Sequence, residues 1–276
     1  MFKDLVVNLS VGDACDAATD FAVSIASAFE AHLTGIAFTY DPVLADPFYE
    51  GMTPSLIDAL RSGAENAAKA AVSKFEEAVR RAGVAGQSRM LDANFVRAAD
   101  RFGRIARRFD LSVITQAEPH KAGPEGMIIE GALFESGRPV LVVPYIQTDG
   151  LALDRVMVGW DGSRNAARAA ADAMPFLRRA KRVDVVTISG EHVKSDELPG
   201  ADIAHHLARH GLQINLERIV AIGTDVANTM LSYAADADAD LIVMGGYGHS
   251  RLREFVLGGA TRGILAAMTV PVLMSH

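Results

Sequence analysis

The chain has 276 residues, half of them hydrophobic and 22% charged, with a net charge of −7. That length suits two domains of ordinary size better than one, and the negative balance leaves no general basic surface for nucleic acid. Cys15 is the only cysteine, so no intrachain disulfide can form, as in a reducing compartment. The opening MFKDLVVNLSVGDACD has no basic leader followed by a long apolar stretch. No apolar run approaches the ~20 residues of a membrane helix, so a cytoplasmic protein with no membrane partner is expected.

Hydrophobic patterning predicts the following elements in chain order. A strand over 4–9 leads to a helix over 13–29, a strand over 32–38 and a long helix over 55–82. Next come a strand over 87–91, a helix over 95–108, a strand over 111–115, a helix over 127–135 and a strand over 139–143. The order then starts again, with a strand over 155–159, a helix over 164–177, a strand over 183–188 and a helix over 201–210. It continues with a strand over 215–221, a helix over 225–235, a strand over 241–244, a helix over 259–268 and a strand over 270–274. Most strands are short continuous apolar runs rather than alternating ones, which suits parallel strands covered on both faces. The predicted fold class is α/β: two tandem doubly wound domains, each a five-stranded mostly parallel sheet with helices on both faces.

The duplication is plainest where Arg138-Pro139-Val140-Leu141-Val142-Val143 mirrors Val270-Pro271-Val272-Leu273-Met274. Likewise, Arg108-Phe109-Asp110-Leu111 mirrors Asp238-Ala239-Asp240-Leu241. The first part carries extra residues in its middle, mostly Tyr40–Gly63 and the rest of the long helix. The stretch PYIQTDGLAL, residues 144–153, reads as the linker. The domains are therefore set at 1–146 and 152–276.

One stretch carries most of the chemistry. The run Leu241-Ile242-Val243-Met244 ends in Gly245-Gly246-Tyr247-Gly248, and nine residues intervene before Gly258-Gly259 and the last predicted helix. Glycines between a buried strand and a helix start permit positive φ and close backbone approach. Successive N–H groups there can line an anion-binding concavity, with the helix N-terminus adding free donors. Tight turns use glycine for ordinary reasons as well.

Other signals have plainer readings. Asp161-Gly162-Ser163-Arg164 fits a ligand contact, or only a turn with a helix cap. Arg251, Arg253 and His249 could reach phosphates or lie on a solvated surface. His206 and His210 stand four apart on a helix, but no HExxH pattern or cysteine pair accompanies them. Asp236, Asp238 and Asp240 lack a calcium-loop pattern and suit the polar end of a helix. Cys15 has no activating partner nearby in sequence, and the stretch 64–82 is an amphipathic helix that could face a partner chain.

With these residues in view, the chain resembles a universal stress protein of the tandem, two-domain type, the second part much more closely than the first. Nucleotide-binding members carry Gly-x-x-Gly, nine residues, then Gly and a small hydroxyl residue. Here that implies Gly245, Gly248 and Gly258, with Gly259 in the hydroxyl position and one side-chain donor lost. The resemblance places Asp161, after Gly159 and Trp160, near adenine and ribose, and Ile188 near the adenine. Met244 and Ala260 complete the implied site. The implied cofactor is ATP with Mg2+, held by residues 152–276 of a stress-response regulator, and a homodimer with unknown protein partners is expected. No dedicated enzyme is expected, since the chain has no P-loop lysine and no base poised beside a nucleophile. Slow ATP hydrolysis stays open. A scaffold that needs no nucleotide is the alternative.

In the first part, Ser10 stands at the Asp161 position, and Thr115 and Glu118 replace two of the glycines. Glu118 would set a carboxylate where phosphates would sit, a repulsion of about 1 kcal/mol in water and more in a cleft. Residues 1–146 are expected to have lost nucleotide binding.

Overall fold

A computed structural model describes residues 1–12, 16–40, 53–119, 121, 123–190, 200–221, 224–247 and 259–276. In the amino-terminal half these are β1 (Asp4–Asn8), α1 (Ala17–Phe29), β2 (His32–Tyr40), α2 (Pro54–Ala82) and β3 (Gly86–Ala93). They are followed by α3 (Phe95–Ala106), β4 (Leu111–Thr115), α4 (Glu125–Glu135) and β5 (Val140–Val143). The carboxy-terminal half opens with β6 (Arg155–Gly159), α5 (Arg164–Asp172), α6 (Met174–Leu177), β7 (Arg182–Gly190) and α7 (Ala201–Arg209). It ends with β8 (Ile214–Ala221), α8 (Val226–Asp236), β9 (Leu241–Gly245), α9 (Gly259–Ala267) and β10 (Val272–Ser275).

All ten strands form one sheet, in the order β3-β2-β1-β4-β5-β10-β9-β6-β7-β8. Within each half every pairing is parallel, and the two runs meet where β5 and β10 pair antiparallel, Leu141 opposite Leu273. The predicted five-stranded sheets are present, fused edge to edge. Because the joint is antiparallel, the carboxyl ends of the strands in one half point opposite to those in the other.

The apolar runs behave as expected of strands covered on both faces. Leu5, Val7, Val113, Val158 and Val243 face one core, and Val6, Ile114, Met157, Ile242 and Met244 face the other. Neighbours along a strand point to opposite faces, so a continuous run feeds both layers. Both cores cross the joint between the halves. On one face Phe176 packs against Phe2 at 4.9 Å and Phe29 at 5.5 Å, with Arg179 over the Phe29 ring at 4.2 Å. Each such ring pair is worth about 1 kcal/mol beyond its buried area.

Local signals set the helix ends. Asp16 caps α1 through Thr19 N, Asn94 caps α3 through Arg97 N, and Ser163 and Asp225 cap α5 and α8 in the same way. The single helix expected over 164–177 is two, because Pro175 lacks an N–H and its ring crowds the preceding turn. The Asp236, Asp238, Asp240 stretch is structural: Asp240 Oδ2 accepts from Asp154 N at 2.7 Å and Arg155 N at 2.8 Å, tying the start of β6 to β9. Asp110 does the same for β1, accepting from Lys3 N at 2.8 Å.

Candidate functional site

The carboxyl ends of β6, β7 and β9 open on a cleft of about 330 Å3, closed on one side by α8 and the start of α9. Gly159, Trp160, Asp161, Ile188, Met244, Gly245, Gly259 and Ala260 line it, eight of the ten residues marked in the sequence. Gly248 and Gly258 lie outside the described residues, as do Cys15, His249, Arg251 and Arg253. Carboxyl ends of strands are where open α/β sheets hold ligands, and the volume lies at the small end of ligand clefts.

The cleft has an apolar and a polar end. Val186, Ile188, Val226, Met230 and Met244 supply aliphatic walls that suit a flat ring. Of these, Val186, Val226 and Met230 went unmarked in the sequence, and so did Thr261. Apolar residues that enter from a strand interior and from one turn of a helix leave no spacing signature. At the polar end, Asp161 is exposed and accepts from Ser163 N at 2.9 Å, an Asx turn. Ser163, not Asp161, is the α5 cap, through Ala166 N at 3.1 Å. One carboxylate oxygen of Asp161 serves the turn, and the carboxylate retains acceptor capacity for a ribose hydroxyl or an exocyclic amine. The first N–H groups of α9 have no partner within the helix, and among the described residues, chain neighbours and the helix's own backbone aside, no atom lies within 4 Å of where a Gly259 Cβ would stand.

The glycines do different work. A Cβ on Gly245 would come within 2.7 Å of Ala166 N and Asn165 C, so this glycine lets β9 touch the start of α5. A Cβ on Gly246 would meet Leu133 of α4 at 2.7 Å. Gly159 leaves room for the flexible end of Met230, at 2.7 Å. Gly245, one of the motif's glycines, therefore serves packing as well as any ligand. Tyr247 is buried and takes a positive φ of 50°. Its N–H donates to Thr261 Oγ1 at 3.1 Å, and burial together with the Glu130 carboxylate against its hydroxyl raises its pKa to about 12.

Among the described residues, rings fill the matching place in the amino-terminal half. Matching registers, Asn8 with Ile36 and Gly159 with Val186, put Phe38 where β7 has Ile188 and Tyr40 where it has Gly190. The capping residues Asn94 and Asp225 correspond, so Phe95 stands for Val226. Tyr40 packs against Phe95 at 4.9 Å and Phe38 at 6.1 Å. Burial and Glu125 push the Tyr40 phenol above its usual range. Ser10, in the Asp161 place, bonds to Thr115 Oγ1 at 3.2 Å and donates to Asp16 Oδ1 at 3.3 Å. Glu118 pairs with Lys121 at 3.1 Å near the surface, while Glu125 folds back over Gly123 at the start of α4.

Among the described residues no group of three or more His, Cys, Asp or Glu could hold a metal. His206 and His210 meet edge to face at 5.0 Å on the exposed side of the end of α7. A larger cleft of about 470 Å3 lies at the joint of the halves, lined by Phe2, Phe29, Arg138, Met174, Arg178 and Arg179 among others. None of the marked residues reaches it, and its two acids, Asp110 and Asp172, already serve backbone and Ser275 partners. No helix among the described residues is long and apolar enough to cross a membrane.

The universal stress protein family profile matches residues 152–276. Universal stress protein Slr1230 of Synechocystis sp. (strain ATCC 27184 / PCC 6803 / Kazusa) is 25% identical over 158 residues, 55% of this chain. The chain spans about half the length of that curated relative, 51%. Among solved structures, a universal stress protein from Archaeoglobus fulgidus DSM 4304 superposes with a TM-score of 0.72 at 16% identity. The match covers 99% of this chain and 95% of that one. A protein of Pseudomonas aeruginosa UCBPP-PA14 assigned to the same family gives a TM-score of 0.61 at 14% identity, over 99% and 93%. At these identities the two structures speak for the fold. Residues 152–276 thus carry the sequence signature of the universal stress protein family, and the fold of the whole chain is that of these two structures.

Proposed function

We propose that this chain is a universal stress protein, a stress-response regulator that holds an adenine nucleotide, ATP with Mg2+, in the cleft of residues 152–276. What supports this reading is the convergence on one cleft of eight residues that spacing and resemblance single out. The aliphatic walls would take the base, Asp161 the ribose, and the amides of Gly259, Ala260 and Thr261 the phosphates. Gly248 and Gly258 belong to the proposed site by spacing. With no metal cluster among the described residues, Mg2+ would be carried by phosphate oxygens and water. Residues 1–146 form the second proposed domain, with its cleft filled by Phe38, Tyr40 and Phe95. The proposal extends to a cytoplasmic protein that forms homodimers.

Titration calorimetry of the full chain with ATP and Mg2+ tests this, beside mass spectrometry of whatever ligand the purified protein carries. Saturable heat with one site per chain is expected. The absence of heat and of thermal stabilisation at millimolar nucleotide overturns it, because a ligand bound to the folded state alone must raise the melting midpoint. One observation favours a second reading, a scaffold that needs no nucleotide: Gly259 stands where a hydroxyl donor is expected. Self-association and partner capture that are identical with and without ATP would favour it.

A further inference from the structure

We propose that α4 of the amino-terminal half positions Gly246 and Tyr247 at the end of β9, so that Phe134 and Glu130 set the affinity of a cleft they do not line. This rests on the nucleotide reading of that cleft. The antiparallel joint of β5 and β10 brings Gly246 and Tyr247, just after β9, against α4. Gly246 has no room for a Cβ because Leu133 occupies it. The Phe134 ring packs on Tyr247 at 4.9 Å and on His276 at 4.9 Å, and Glu130 sits against the Tyr247 hydroxyl.

Tyr247 is the pivot. Its left-handed backbone, φ 50°, is one that a non-glycine residue keeps only when its surroundings impose it. From below, Asn165 Nδ2 donates to Gly246 O at 2.8 Å and Tyr247 O at 3.4 Å. On the other side, Tyr247 N donates to Thr261 Oγ1 at 3.1 Å, and Thr261 is a wall of the cleft in the first turn of α9. Contacts thus run without a break from α4 through Tyr247 to the amides that would meet the phosphates. The reciprocal joint is built differently. Gln116, which stands where the other half has Gly246, reaches across to donate from Nε2 to Leu265 O at 2.9 Å. In this way the closed half braces the open one.

The test is calorimetric titration of ATP with Mg2+ into the full chain, well below the melting midpoint. The variants are Phe134→Ala, Phe134→Tyr, Glu130→Gln, Tyr247→Ala and the double Phe134→Ala with Tyr247→Ala. Phe134→Ala and Tyr247→Ala are each expected to raise Kd about tenfold, with the double no weaker than the worse single and Phe134→Tyr restoring affinity. Glu130→Gln is expected to raise Kd by about threefold. Hydrogen exchange on the nucleotide-free chain should show lost protection at 246–247 and 259–262 in Phe134→Ala, with β6 and β7 unchanged. A lower melting midpoint with Kd within twofold of wild type overturns the proposal. Failure of wild type to bind overturns the nucleotide reading itself; exchange then decides the brace alone, and unchanged protection at 246–247 overturns it.

Discussion

The two halves share a strand order and the register of their first two strands, yet one ends in a cleft and the other in a packed plug. The strand frame scarcely enters the difference. It lies in side chains at five matched places: Phe38 for Ile188, Tyr40 for Gly190, Phe95 for Val226, Thr115 for Gly245 and Ser10 for Asp161. Three rings replace two aliphatic residues and a glycine, and a short hydroxyl bonded to Thr115 replaces an exposed carboxylate. A cleft at the end of a doubly wound sheet is thus a default that a sequence must actively fill. The closed half shows how few substitutions that takes.

Emptying the plug should have the largest effect. Phe38 is fully buried, so Phe38→Ala should cost about 3–5 kcal/mol in urea denaturation. No ATP binding should appear in the emptied half, since Ser10, Thr115 and Glu125 remain; nucleotide heat from that half would break the comparison. Next comes the reverse graft at the strand end. Gly245→Thr installs the residue of the closed half against the backbone of Asn165 and Ala166, and overpacking should lower stability by about 1–3 kcal/mol. A wild-type denaturation midpoint would mean that α5 yields there without cost.

A third graft, Ile188→Phe, adds a ring to a half-buried wall of the open cleft. Affinity for ATP in calorimetry should fall about tenfold, or roughly 1.4 kcal/mol. Stability should change by less than about 0.5 kcal/mol. The smallest effect concerns the polar knot under the plug. Burial raises the Asp16 carboxyl above its unfolded value of 3.8, against opposing bonds from Thr19 and Ser10. The folded state therefore binds this proton more tightly than the unfolded state does. The burden of the ionised form is present at neutral pH and is relieved as pH falls through the raised value toward 3.8. Between about pH 7 and about pH 4 the stability of wild type relative to Asp16→Asn should shift in favour of wild type. A gap constant over that range, by thermal melts, would remove Asp16 from the account.

Much of this is legible in residue order. The strands at 111–115 and 155–159 fall where the apolar runs put them, and Gly83 ends the long helix with a φ of 66°. Eight marked site residues share a cleft because β6, β7 and β9 are neighbours in a parallel sheet. Other features are hidden. Pro175 splits a helix that the apolar period carries through. Glu125, the first residue of α4, turns its carboxylate back over Gly123, a local contact that residue order does not show. Met230 and Thr261 reach the cleft from helices, where their sequence pattern is that of ordinary core and turn residues.

The sequence by itself determined the strands, the duplication and which half could keep a cleft, since burial on both faces and ring size are local properties of residues. Only the tertiary structure decided that the two sheets are one, joined antiparallel through β5 and β10. Edge strands such as VLVV and VLMS pair through backbone N–H and C=O groups that every residue of theirs carries, so their side chains leave the partner and its direction unspecified. That choice of direction is what sets α4 against Tyr247 and brings the two halves to bear on one cleft.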